Sequence, residues 1–379
     1  MEMICEKKDL QAGVTMVERI VATRSTLPII GNILFEAGKD VLRLSANNLE
    51  IGISLTVNAK VIKEGAVLLP AKTLSGIVSK LPEQQVGFKM SENSVIKITY
   101  DQSCFNLNSL PPDEFPVLPK VADGKSFTVD PKVLLSMIKQ TIFSVSTSEE
   151  KYVLTGVLLE FGKSSSAGDN SNIRMVATDG YRLARRGEKA EGIPNQEISV
   201  IVPAKALLEV AKIVEGKEKE KIKVTIAKDQ IGFECGAVYL VSRVIQGQFP
   251  DYKQVIPKKS SVKAVVVTKE FLEAAERAAV VASGSANITR FEIKGNRILL
   301  SASTPDVGNI EEILKAEIKG GDKSQISFNI RLITDALKVL GTEKMVLELG
   351  DGLSPGVIRP EGESDYIYIV MPIRTQEKV

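Results

Sequence analysis

A chain that carries one strand–helix segment three times is held to a repeat architecture, because every copy must bury an equivalent apolar face. Here "VLLPAKTLSGIVSKL", "VIVPAKALLEVAKIV" and "ISFNIRLITDALKVL" align without gaps, beginning at Val67, Val200 and Ile326. The repeat is therefore roughly 130 residues long. Each segment opens as a short apolar strand and passes into a helix. Pro70 and Pro203 stand near the helix start in the first two copies, where a missing N–H costs least. Leu74, Ile77, Val78 and Leu81 fall at i, i+3, i+4 and i+7, as do Leu207, Val210, Ala211 and Val214, and Ile333, Ala336, Leu337 and Leu340. Each set is one apolar stripe that must pack on a sheet or another helix.

A second helix begins each copy, in "KKDLQAGVTMVERIV" with Leu10, Val14 and Val17, "DPKVLLSMIKQTIF" with Leu134, Met137 and Ile138, and "KEFLEAAERAAVVAS" with Phe271, Ala274, Ala275 and Ala278. Alternating strand pairs lie between the helices and more strands close each copy. "PPDEFPVLPK" and "QFPDYKQVIPK" read as short, stiff junctions. The expected fold is α+β: three units, 1–121, 122–256 and 257–379, each with two helices packed on antiparallel sheet.

The cations repeat as well. Lys72, Lys205 and Arg331 hold the same position in the three copies, two residues before the stripe and so roughly 200° round the helix from it. Lys212 and Lys338 return to that outer face seven residues later, and Lys132 and Lys139 are seven apart on the other helix of the second unit. With 49 cations against 47 anions, the net charge of +2 says nothing of partners; only sorting onto faces does. If such units continue one arc, the cationic helix faces gather on one side and attract a polyanion whatever its sequence. Aromatic residues are 5% of the chain and tryptophan is absent, a poor basis for base stacking.

Histidine is absent altogether, which removes histidine-dependent nucleophiles, zinc sites and general bases. No phosphate-binding glycine loop is present, and "GKSSSAGDNSN" at 162–172 reads as a hairpin tip. No cofactor or metal is expected. Cys5, Cys104 and Cys235 form no framework, no apolar stretch is long enough to span a membrane, and the N-terminus has no secretory pattern, so a cytoplasmic protein with free thiols is expected.

"VATDGYRLARR", Val176 onward, places Asp-Gly between two alternating runs, a strong hairpin signal. "LRLSANNLE" and "ILLSASTPDV" hold equivalent places in the other units. Together with "RSTLPIIGN", "FPDY" and the C-terminal "VMPIR", this stretch resembles the bacterial sliding clamp, the beta subunit of DNA polymerase III, and the resemblance runs essentially end to end. It implies a head-to-tail homodimer closing a ring around duplex DNA, without catalysis, tethering replicative polymerase and opened by a clamp loader. It implies a peptide-binding groove, shared with repair and translesion polymerases, at Leu154, Thr178, Gly180, Tyr181, Arg182, Leu183, Pro250, Val255, Ser354, Ile369, Val370, Met371, Pro372, Ile373 and Arg374. In that reading the apolar members receive Leu and Phe anchors, and Arg182 with the backbone near Gly180 orients the peptide. A dimer seam is implied between Phe105 and Leu107 of one copy and Val280 and Val281 of the next. On DNA, Arg24 at the inner rim would supplement Lys72, Lys80, Lys132, Lys139, Lys205, Lys212, Arg331 and Lys338. Tyr181 stands where many members carry histidine, and Gln254 where a basic residue can occur. Two other classes compete: a histidine-free enzyme using Asp179, Tyr181 and Arg182, and a monomeric repeat scaffold binding proteins only.

Overall fold

The computed structural model describes residues 1–22, 27–91, 94–122, 124–162, 171–193, 196–217, 219–321, 323–362 and 365–374. The first repeat runs β1 (Glu2–Glu6), α1 (Lys7–Glu18), β2 (Asn32–Gly38), β3 (Val41–Asn47), β4 (Ile51–Lys63), β5 (Gly65–Pro70), α2 (Ala71–Val78), β6 (Gln85–Met90), β7 (Val95–Tyr100) and β8 (Ser103–Asn108). The second runs β9 (Lys125–Val129), α3 (Pro131–Thr141), β10 (Gly156–Phe161), β11 (Ile173–Thr178), β12 (Arg182–Glu188), β13 (Ile198–Pro203), α4 (Ala204–Val214), β14 (Ile222–Ile226), β15 (Gln230–Cys235) and β16 (Val238–Arg243). The third runs β17 (Val262–Val267), α5 (Thr268–Ala282), β18 (Ile288–Lys294), β19 (Arg297–Thr304), β20 (Gly308–Lys315), β21 (Glu317–Gly320), β22 (Lys323–Asn329), α6 (Ile330–Leu340), β23 (Lys344–Leu349), β24 (Gly356–Pro360) and β25 (Tyr366–Val370). Strand, helix, strands, helix, three strands thus recurs three times.

The compact units of the chain are not the repeats. One holds Met1–Pro131 with Lys212–Val244, the other Lys132–Ala211 with Ile245–Val379. In the first unit a 12-stranded sheet runs β8-β7-β6-β1-β4-β16-β15-β14-β9, with β3, β2 and β5 joined through β4. The 13-residue β4 makes this possible: its first half pairs with β16 (Leu55 opposite Val238) and its second half with β1 (Val61 opposite Met3). The second unit holds a nine-stranded sheet, β13-β10-β11-β12-β25-β24-β23-β17-β21, and a four-stranded one, β20-β19-β18-β22. The strands of the second repeat are therefore divided between two sheets.

The apolar stripes are buried as their spacing requires. Leu74, Val78, Leu81, Leu207, Val210, Val214, Ile333, Ala336, Leu337 and Leu340 are all buried, with Ile77 and Ala211 half-buried. The opening helices do the same through Leu10, Val14, Val17, Leu134, Met137, Ile138, Phe271, Ala274, Ala275 and Ala278. Pro70 and Pro203 end β5 and β13, just before the helices. In the third copy Asn329 takes that place, and its side-chain oxygen accepts the N–H of Arg331 at 3.0 Å, a cap worth about 1 kcal/mol.

In the second unit, Phe291 meets Phe271 and Phe328 edge to face, with centroids 6.1 and 5.3 Å apart. Phe328 also lies against Gly356, where a Cβ would come within 2.6 Å of the ring. The glycine lets β24 settle on this core. We expect Phe328→Ala to cost about 3–5 kcal/mol through the cavity it leaves. Urea unfolding followed by circular dichroism measures this, and an unchanged midpoint would show that the ring is not a core element.

Candidate functional site

The turn after β11 is longer than its Asp-Gly signal suggests. Thr178 pairs with Leu183, leaving residues 179–182 to reverse the chain. Two short side chains hold them. Asp179 Oδ1 accepts the N–H groups of Tyr181 (2.8 Å) and Arg182 (3.0 Å). Thr178 Oγ1 accepts from Gly180 N at 3.1 Å and donates to Arg182 O at 2.6 Å. Gly180 has φ 92°, a conformation costly for any residue with a Cβ.

β12 then pairs with β25, Arg182 opposite Val370 and Leu183 opposite Ile369. The ladder continues past β25, because Met371 donates its N–H to Tyr181 O at 2.8 Å. Ile373 N donates to Ser327 O at 2.8 Å, which pins the "MPIR" run. Beneath lies an apolar cluster of Leu158, Val176, Leu183, Ile201, Ile245, Tyr252, Val357, Ile367 and Ile369, flanked by half-buried Val153, Phe249 and Ile256. Exposed apolar side chains stand by this floor: Tyr181 at 64% exposure, Val255 at 41% and Met371 at 38%.

Much of the expected groove set is thus brought together at the adjoining ends of β11, β12 and β25: Thr178, Gly180, Tyr181, Arg182, Leu183, Ile369, Val370 and Met371. Pro372 and Ile373 follow, half-buried, and Arg374 is exposed. Half-buried Leu154 accepts the N–H of Ser146 through its carbonyl, next to Val153 of the floor. Exposed Pro250 and Val255 belong to the segment whose Phe249, Tyr252 and Ile256 meet the floor. Ser354 sits in the β23–β24 turn, its hydroxyl on Asp351 at 2.6 Å.

Several residues at this site lie outside the expected groove set. Lys151 donates to Asp179 O at 2.9 Å and lies over the Tyr181 ring, 4.9 Å from its centroid. Tyr252 donates to Glu160 Oε2 at 2.8 Å, and buried Arg174 donates to the same oxygen at 3.1 Å. Burial, reinforced by the Glu160 carboxylate, raises the pKa of the Tyr252 hydroxyl. The signal that could have found Tyr252 was the "FPDY" run itself.

Arg182 is committed to the protein's own carboxylates. Its Nε donates to Asp179 Oδ2 at 3.0 Å and its Nη1 to Asp335 Oδ2 at 2.6 Å. Burial alone lowers its pKa, but the hydrogen bond to Asp335 and the nearby charges outweigh that, so the guanidinium titrates above its ordinary value. Asp179 is spent on the backbone and on Arg182, which leaves it no role as an acid–base group.

The remaining expected positions are on other faces. Lys72, Lys80, Lys132, Lys139, Lys205, Lys212, Arg331 and Lys338 are all exposed, and Lys338 pairs with Glu276 at 3.1 Å. Arg24 and the tail 375–379 lie outside the described residues. Phe105 and Leu107 are on β8, an end strand of the 12-stranded sheet; Phe105 stacks on Tyr100 and, with Lys72, Lys80 and Ile77, lines a pocket of about 350 Å3. Val280, at 70% exposure, and half-buried Val281 are on α5, near β20, which ends the four-stranded sheet. Among the described residues no helix is long and apolar enough to cross a membrane, and no cluster of acidic or cysteine side chains is placed to hold a metal ion.

Models of the DNA polymerase III beta subunit match the chain in three parts: the N-terminal domain over residues 1–119, the central domain over 128–251 and the C-terminal domain over 253–374. The beta sliding clamp of Synechocystis sp. is 33% identical over 99% of each chain. Among solved structures, the DNA polymerase sliding clamp from Bacillus subtilis is 30% identical with a TM-score of 0.93, over 99% of this chain and 100% of that one. A DNA polymerase III beta subunit from Pseudomonas aeruginosa, bound to griselimycin, is 27% identical with a TM-score of 0.92 over the same shares. This chain belongs to the DNA polymerase III beta-subunit family, the bacterial sliding clamps.

Proposed function

We propose that two copies of this chain close head to tail around duplex DNA in the cytoplasm, and that the β12–β25 site holds short motifs of replicative polymerase, clamp loader, and repair and translesion polymerases. The chain serves DNA replication by binding and tethering, as a processivity factor and not a catalyst. The observation that carries the reading is the family match over all three repeats, combined with an apolar floor under the β12–β25 pair. Domain limits of 1–121, 122–256 and 257–379 are part of the proposal. So are the fifteen groove residues, with Arg182 as a member of the site.

The seam is proposed between β8 with Phe105 and Leu107, and α5 and β20 with Val280 and Val281. Both strands are exposed sheet ends, which soluble proteins pair or cover. Exposed Ile313 on β20 adds apolar area. The exposed cations of α2, α3, α4 and α6 are proposed to meet phosphates without regard to sequence.

The topological test comes first. The protein is assembled by an active clamp loader on nicked circular plasmid, free protein is removed, and half the DNA is linearised. We expect retention on the circle and rapid loss from the linear form; equal retention on both would rule out a ring. Replacing Lys72, Lys205 and Arg331 together by Gln should lower the salt dependence of DNA affinity by roughly one log–log unit for each phosphate-binding cation removed.

A second prediction concerns the seam. Burial pushes the Cys5 thiol up to about 12 and also raises that of Cys235, whereas Cys104 is exposed on β8. Alkylation of Cys104 by N-ethylmaleimide should slow as protein concentration rises through dimerisation, and Phe105→Ala/Leu107→Ala should abolish that protection. A rate independent of concentration would place the seam elsewhere.

For the groove, Met371→Glu should weaken binding of a Leu-Phe peptide or griselimycin at least about tenfold while leaving retention on circular DNA intact. Unchanged affinity would remove Met371 from the site.

A further inference from the structure

Resting on the reading of the β12–β25 site as a peptide seat, we infer that Arg182 is a positioning residue, and that Asp335 of α6, outside the fifteen groove positions, sets the shape of the seat through it. The Arg182 side chain is only 12% exposed and lies between two carboxylates. One of them, Asp179, holds the turn backbone with its other oxygen. The second, Asp335, lies on α6, 153 residues further along the chain. The guanidinium also sits 5.4 Å from the centroid of the Phe143 ring, so apolar surface closes a further side. An arginine placed to greet a peptide carboxylate would present its fork to solvent; this one has spent Nε and Nη1 on internal acceptors.

The other wall of the seat is tied to the same helix. Tyr368 of β25 donates its hydroxyl to Leu332 O, in α6, at 2.6 Å. The turn and β25, which meet at the Met371–Tyr181 hydrogen bond, are therefore each fastened once to α6. With Asp335 neutralised, the part-buried guanidinium keeps Asp179 and its contact with the Tyr368 hydroxyl but loses its carboxylate on α6, and it can shift toward solvent. The carboxylate that orders Tyr181 N and Arg182 N then follows the charge that moves.

The test uses the full chain and a fluorescein-labelled hexapeptide carrying a Leu-Phe pair, with affinity read by anisotropy and folding checked by thermal melting. Asp335→Asn, nearly isosteric, is expected to weaken binding roughly three- to thirty-fold. Asp335→Glu should recover most of that loss, since it restores the charge. Glu276→Gln, which removes a carboxylate near α6 without touching the turn, should bind as the unaltered chain does. Arg182→Ala and the Arg182→Ala/Asp335→Asn pair should be equally weak, because both break one link. If Asp335→Asn binds normally while Arg182→Ala does not, Arg182 acts by touching the peptide and the inference fails alone. Full additivity of the two changes overturns it equally. No binding by the unaltered chain would bring down the peptide-seat reading and this inference together.

Discussion

The site depends on one backbone ladder, β12 against β25. It joins residues 182–186 to residues 366–370, and every residue of β25 is buried. A slip of one residue would turn Leu183 and Ile369 off the apolar floor and bring Tyr368 and Val370, which belong to the core on the other face, onto it, so the different packing of the two faces fixes the register. Only because that register is fixed do the 179–182 turn and the "MPIR" run stand side by side. The two stretches come from different repeats, and neither forms half a site by itself.

The same device acts in the other unit, where β4 is long enough to serve two partners. In both units the sheet runs on past the end of a repeat, and the strands that would otherwise be open edges are consumed by a neighbour. Sequence periodicity could not reveal this. The stripes at Leu74, Leu207 and Ile333 specify helices and their buried faces, because a 3.6-residue period is local information. Whether β16 pairs with β4, or β12 with β25, is settled by burial between residues far apart in sequence. The repeat was therefore legible, and the division of the second repeat between two sheets was not.

At the site, the apolar positions could be located by resemblance, and the turn by its Asp-Gly pair. The chemistry of that turn was less accessible. Asp179 reads as a turn residue or as an acid; the structure makes it a fastener, with both oxygens occupied. Arg182 reads as a ligand-facing cation for the same reason that any arginine near a groove does. Its partner Asp335 is a half-exposed acid beside the apolar stripe of a surface helix, and nothing in the pattern marks it.

Two kinds of electrostatics therefore coexist on α6. Lys338 and Glu276 form a pair of roughly half-exposed side chains, and such pairs are worth about 0–1 kcal/mol and are weakened by salt. A lysine held that loosely can exchange its carboxylate for a phosphate at little cost, which is what the proposed DNA-facing role of Lys338 requires. Arg182 and Asp335 meet where one side chain is almost wholly shielded, and breaking that pair strands a charge. The proposed function calls for both: exchangeable cations to meet a polyanion, and a fixed one to hold the shape of a peptide seat. Net charge, which sums the two kinds together, cannot distinguish them; solvent exposure does.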